Sequence, residues 1–263
     1  MGFGAVWCRF SRFALLNLAA PPRFRPVRPR IVAAPIAYEQ PTLNKAWKAF
    51  VVHIPTVLII WIAIAILFAL SYGAQLLMTV VGNSLSGVSL GTGIDGSSPS
   101  ALGVMLGQLG QLPFSILYNL VYVLFVAVPA MYYATGDTIT VDRAFQVLLQ
   151  RPWRYLLAGF LFIAVSVIGL LACILPGIAV ALVTPVYVNK IFTTDMPILD
   201  AFGSSFQAVY RSENGWTFIG IELLAGLVAL VLTICTCGLG FFVAPALASF
   251  YVQNAAYRQG VLT

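Results

Sequence analysis

The sequence predicts an all-α integral membrane protein: six transmembrane helices arranged as three helix pairs, each pair preceded by a cytoplasmic amphipathic helix. Three observations predict it. First, charge is scarce and clustered. Only 8% of the 263 residues are charged, against roughly 25% in soluble domains. Asp95 is the only formal charge between Lys48 and Asp137, none falls between Arg154 and Lys190, and only Glu222 falls between Glu213 and Arg258. Uncharged runs longer than about 18 residues are spanning helices, and runs that do not alternate in polarity are not barrel strands. Second, a one-sided apolar stripe of helical period occurs three times: Leu43, Ala46, Trp47, Phe50, Val51, Ile54; then Val141, Ala144, Phe145, Leu148, Leu149, Pro152; then Ile198, Ala201, Phe202, Ser205, Phe206, Val209. Each stripe leads into a long apolar run, as an interfacial helix before a span does. Third, threading six helices from a cytoplasmic N-terminus leaves all 14 Lys and Arg on or near the cytoplasmic face, with Asp95 alone opposite. That asymmetry sets both ends as cytoplasmic.

Residues 1–42 form a basic Arg/Pro-rich tail, with six arginines before residue 31 and Pro alternating with Arg over 21–30. Such a segment is extended and suits an anionic membrane surface. A start upstream of the true one and a signal peptide are the alternatives, the second weakened by the meagre apolar core at Ala14–Ala20. Residues 43–263 form the polytopic domain, with spans expected at about 54–80, 114–134, 155–174, 177–192, 217–237 and 239–257. Gly82 to Ser100 reads as an outer Gly/Ser loop, and Ala101 to Leu112 as a short helix on the outer face. Pro113 suits the first turn of the second span. Leu175-Pro176-Gly177 turns span three into four, and Gly238-Leu239-Gly240 turns five into six. Pro129, Pro185 and Pro245 each fall within the second helix of a pair, where a missing N–H kinks a helix. Trp47, Trp153 and Trp216 stand at equivalent starts, as an aromatic belt does. Stripe, hairpin and proline recurring together make an internal repeat.

The stretches Ala144-Phe145 through Pro152-Trp153, Leu175-Pro176-Gly177, and Asp200-Ala201-Phe202 through Gly215-Trp216 to Cys237-Gly238-Leu239-Gly240 resemble the YciC-like group of six-helix bacterial membrane proteins. That group includes the membrane domain fused to some glycerophosphodiester phosphodiesterases. The resemblance covers roughly residues 40–260 and implies six spans with amphipathic linkers. It implies little about activity, and no phosphodiesterase domain accompanies it here.

The chemistry-bearing residues are few. Glu222 stands at membrane depth, where an acid marks a functional site by default. Counting ~1.5 Å per residue from the hairpin tips puts Glu222 ~24 Å and Lys190 ~21 Å from the outer turns, with Asn254 level across the last hairpin. A polar cluster of Glu222, Lys190 and Asn254 is therefore geometrically allowed; the alternative is a snorkelling Lys190 and a shallow Glu222. Cys173, Cys235 and Cys237 fall at outer tips, where Cys173 either bridges one of the other two or all three pack as small turn residues. Cys8 carries no assignment. His53, the sole histidine, has no partners for a metal site. Gly91-Thr92-Gly93-Ile94-Asp95-Gly96 has nucleotide-loop spacing but not the strand and helix that chemistry needs. No cofactor, metal or nucleic acid is expected, and no catalytic constellation is recognisable. The partners expected are the bilayer and a bound lipid or membrane protein. The expected role is non-enzymatic: membrane or envelope organisation or partner binding, with a small lipid or solute carrier built on the kinked helices and Glu222 as the alternative.

Overall fold

The structure is a computed structural model, and it describes residues 33–87 and 100–262. These lie in the second of two units, Ala33–Thr263; the first is Met1–Val32. Cys8, six of the arginines, most of the expected tail, Asp95 and the glycine run at 91–96 lie outside the described residues. Within them all regular structure is helical, with no strand. Five helices are long and apolar enough to cross a membrane: Ile54–Leu85, Ala101–Thr135, Pro152–Ala172, Ile174–Thr193 and Gly215–Cys235. The chain is a multi-pass membrane protein.

A short 3-10 turn, Pro35–Tyr38, leads to α1, Leu43–Val52. The Thr42 hydroxyl accepts the Lys45 N–H at 3.3 Å and caps it. Helix α2 follows at once as Ile54–Leu85, with a proline in its first turn. The second span is two helices, α3 at Ala101–Tyr122 and α4 at Leu124–Thr135, interrupted at Val123. Then come α5 at Val141–Gln150 and α6 at Pro152–Ala172. The fourth span is α7 at Ile174–Ala181 and α8 at Thr184–Thr193. Helix α9 covers Ile198–Tyr210 and α10 Gly215–Cys235. A 3-10 turn, Leu239–Phe242, precedes α11, Ala244–Arg258. Thr140 caps α5 as Thr42 caps α1, and Asp142 and Asp200 sit in the first turns of α5 and α9, where a helix favours negative charge.

Helices α1, α5 and α9 bury the same two places of their stripes: Ala46 and Phe50, Ala144 and Leu148, Ala201 and Ser205. The adjoining row is exposed in α1, at Leu43, Trp47 and Val51, and at Leu149 of α5, whereas Phe145 of α5 and Ile198, Phe202 and Phe206 of α9 are half-buried against the core. The stripe of α1 thus has a narrow inner line and an apolar outer shoulder.

Three expected boundaries are corrected. The separate outer helix at 101–112 does not exist: α3 runs unbroken from Ala101 through Pro113 and packs along α2. Its glycines explain this. A Cβ on Gly82 of α2 would lie 2.5 Å from the Gly103 Cα, and one on Gly107 would collide with the Thr79 side chain. The backbones touch, so this stretch is a packed helix pair rather than a surface helix. The turn after span three is not at Leu175-Pro176-Gly177 but at Cys173, whose backbone is extended; Pro176 falls in the first turn of α7, where its absent N–H costs nothing. The sixth helix is not of spanning length. Helix α11 has 15 residues, about 22 Å at helical rise, because Pro245 forces its start and the preceding chain winds as a 3-10 turn.

The interior is built by the second members of the pairs. Helices α4, α8 and α11 pack on one another and carry Leu124, Ala127, Val128, Val186, Phe250 and Ala255, each at most 1% exposed. The first members lie outside them.

Candidate ligand cavity at the helix breaks

Pro185 and Pro245 stand just beyond interruptions, at Leu182 and Val183 and at Val243, whereas Pro129 lies inside α4, downstream of the break at Val123. Proline lacks an N–H, so the carbonyl four residues back loses its donor. For Pro185 that carbonyl is Ala181, and the Thr184 hydroxyl donates to it at 2.5 Å. Beside Pro245, the Trp61 indole N–H of α2 donates to the Phe242 carbonyl at 3.0 Å. The break at Pro185 is therefore satisfied locally.

Beside the break between α7 and α8 lies a cavity of about 290 Å³. Its walls are Val126 of α4, Ala181 and Thr184 at the α7–α8 junction, Glu222 and Ala225 of α10, and Ser249 of α11, among others. Glu222 is the only charged wall residue. Its Oε2 is buried and has no hydrogen-bond partner among the described residues. An acceptor in that position carries a desolvation cost unless something donates to it. Thr184 already spends its hydroxyl on Ala181. The arrangement can hold a proton, a cation or an N–H or O–H group against Glu222, with apolar walls around it. At the interfacial end of α9, Tyr210 donates to the Ala179 carbonyl at 2.7 Å, and burial first, then the Glu222 charge, pushes its phenol up.

The expected trio does not assemble. Lys190 Nζ donates to Ser204 Oγ of α9 at 3.1 Å, and Asn254 Nδ2 donates to the carbonyls of Ala37 at 2.8 Å and Glu39 at 3.3 Å. Neither lines the Glu222 cavity. The adjacent residues form a network instead. Asn189 Nδ2 donates to Gln253 Oε1 and to the Tyr257 hydroxyl, both at 3.1 Å, and Gln253 Nε2 donates to the Pro185 carbonyl at 2.8 Å. The sequence does carry a signal for this, since Gln253 and Tyr257 are spaced i, i+4 and share one face.

Cys173, Cys235 and Cys237 are free and exposed, so no bridge links the hairpin tips. His53 is 1% exposed: its Nδ1–H donates to the Ala49 carbonyl at 2.7 Å and its Nε2 accepts the Ile139 N–H at 3.0 Å. It is a clamp between α1 and the start of α5. Burial lowers its pKa below the ordinary value. No group of three or more His, Cys, Asp or Glu able to hold a metal occurs among the described residues.

Comparison with known proteins finds no matching family model, curated protein or solved structure.

Proposed function

We propose that this chain is a non-enzymatic carrier of a lipid or small solute in a bacterial-type inner membrane, working through the Glu222 cavity. The observation that supports it is the buried, unpartnered Glu222 Oε2 among apolar walls beside the Pro185 break of the fourth span. Broken helices around a polar point are where many carriers bind. Glu222→Gln removes the charge and keeps the shape. In detergent-purified protein read by native mass spectrometry, the wild type retains a co-purifying small molecule or lipid and the Gln variant loses it. Reconstituted vesicles then lose transfer of that molecule. Retention and transfer unchanged by the substitution sink the carrier reading.

The topology proposed with it is six crossings in three pairs, with the 3-10 turn at Leu239–Phe242 and α11 together making the sixth. Both ends are cytoplasmic, and α1, α5 and α9 lie along that interface. Lys45, Lys48, Arg143, Arg151, Arg154, Lys190, Arg211 and Arg258 all stand in or beside the ends of helices that meet α1, α5 and α9, which favours that side as cytoplasmic. Equivalent burial of Ala46, Ala144 and Ala201 favours a thrice-copied unit, and membership of the YciC-like group belongs to the same proposal. Tags after Gly87 and at the C-terminus reachable from one compartment would overturn the topology. The rival role, membrane organisation or partner binding, draws on the exposed apolar shoulders of α1 and α5. A stoichiometric protein in the same mass spectra, with no small ligand, would favour it.

A further inference from the structure

We infer a second binding site, for a phosphate anion, in the pocket between α1 and the end of α4. The pocket has a volume of about 270 Å³ and is lined by Glu39, Lys45, Lys48, Tyr132, Tyr133 and Thr138 together with smaller side chains. Its one carboxylate is already satisfied: Glu39 pairs with Lys45 at 2.7 Å. What remains are donors. Among the described residues Lys48 has no ion pair, and the hydroxyls of Tyr132, Tyr133 and Thr138 have no acceptor. Tyr133 is only 2% exposed, so its ring is locked in the core while its hydroxyl has no internal partner. A hydroxyl that no protein group engages, carried on a fixed ring at the wall of an open pocket bearing an unpaired ammonium, points to an anionic oxygen.

The walls are held in place. Asn254 of α11 fastens the carbonyls of Ala37 and Glu39, fixing the segment that carries the carboxylate. Gly136 turns the chain at φ +79, and a Cβ there would lie 2.9 Å from the Ala34 Cβ. Beside the pocket α1 exposes Trp47, Val51 and Val52, and α2 exposes Ile54. An apolar ledge beside an ammonium and three hydroxyls fits a phosphodiester whose tails lie along the helix. The shared chemistry is a singly charged phosphate ester, from a lipid headgroup or from solution. This site does not depend on the Glu222 reading.

The experiment is native mass spectrometry of the full chain in non-ionic detergent, titrated with dioleoyl phosphatidylglycerol, dioleoyl phosphatidylcholine or glycerol 3-phosphate. The anionic lipid binds more tightly than the zwitterionic one. Lys48→Ala weakens it about fivefold and Lys45→Ala with Lys48→Ala about twenty-five-fold, at roughly 1 kcal/mol for each lysine. Tyr133→Phe keeps the ring and weakens it about fivefold. Displacement of the lipid by glycerol 3-phosphate sustains the site with a soluble source, and a response to lipid alone sustains it as a headgroup site. Equal retention of the two lipids overturns the inference. So does anionic binding unchanged in Lys48→Ala and Tyr133→Phe proteins that melt like the wild type.

Discussion

Helices α6 and α8 belong to one hairpin, yet they occupy opposite environments. The α6 span has mean hydropathy 2.5 over its most apolar stretch and is 11% buried there, whereas the span containing α8 has 1.6 and is 44% buried. The α10 span repeats the α6 values. In water the order would be reversed, with the greasier helix inside. Here the greasiest helices turn outward and the amide side chains of Asn189, Gln253 and Asn254 turn inward, each at most 3% exposed. The molecule is sorted for a surrounding medium as apolar as its own leucines, as lipid contact requires. In such a medium, close fit and internal hydrogen bonds hold helices together, and apolarity alone does not.

That contrast can be broken at graded strength. The largest effect belongs to Phe250→Ala. This side chain is fully buried between the inner helices, and its loss should cost about 3–5 kcal/mol. Phe160→Ala on α6, 72% exposed, should cost under about 0.5 kcal/mol. Reversible unfolding in mixed micelles compares the two, and equal losses would erase the distinction between inner and outer helices. Next is Gly107→Leu. It forces α3 away from α2 and should cost about 1–3 kcal/mol, read as a lowered midpoint in the same assay. A neutral result would mean that the two outer backbones do not touch. Asn189→Leu comes third, at about 1 kcal/mol, because membrane hydrogen bonds are individually modest. A double-mutant cycle with Gln253→Leu should show coupling between them.

The smallest effect is a pH dependence. His53 is neutral in the fold because burial lowers its pKa, and its Nε2 accepts the Ile139 N–H. The unfolded ring takes up its proton near pH 6.5, before the folded one does. Stability is therefore level above that pH and declines as pH drops below it. His53→Gln should flatten that decline in thermal melts between pH 7.5 and 5. A decline unchanged by the substitution would place the sensitivity elsewhere.

Much of this was legible beforehand, and the misses share a cause. Counting residues from the turns placed Lys190 and Asn254 at matching heights, and the network does sit there. It is made one residue earlier, by Asn189 and Gln253. One residue is about 100° around a helix. Height follows from counting, but azimuth needs a polar face, and α8 is buried at Val186, Tyr187, Val188 and Ile191, nearly all round. The stripe of α1 has a clear polar side, and there the inner line was readable. The glycines at 103 and 107 are spaced for helix contact, but their partners, Gly82 and Thr79, lie across a loop that sequence spacing cannot close. The pocket of lysines and tyrosines was invisible for the same reason: it joins residues 39, 48 and 133 through folding alone.

Asn254 holds the carbonyls of Ala37 and Glu39 from 217 and 215 positions away, and α11 also packs on α1. During translation α11 emerges after every other described helix. The earliest described segment therefore waits, its seat unmade, while the rest of the bundle is inserted. Completion is a late closing step, and a ribosome stalled before residue 254 would leave a nascent chain with an open side, exposed to quality-control proteases.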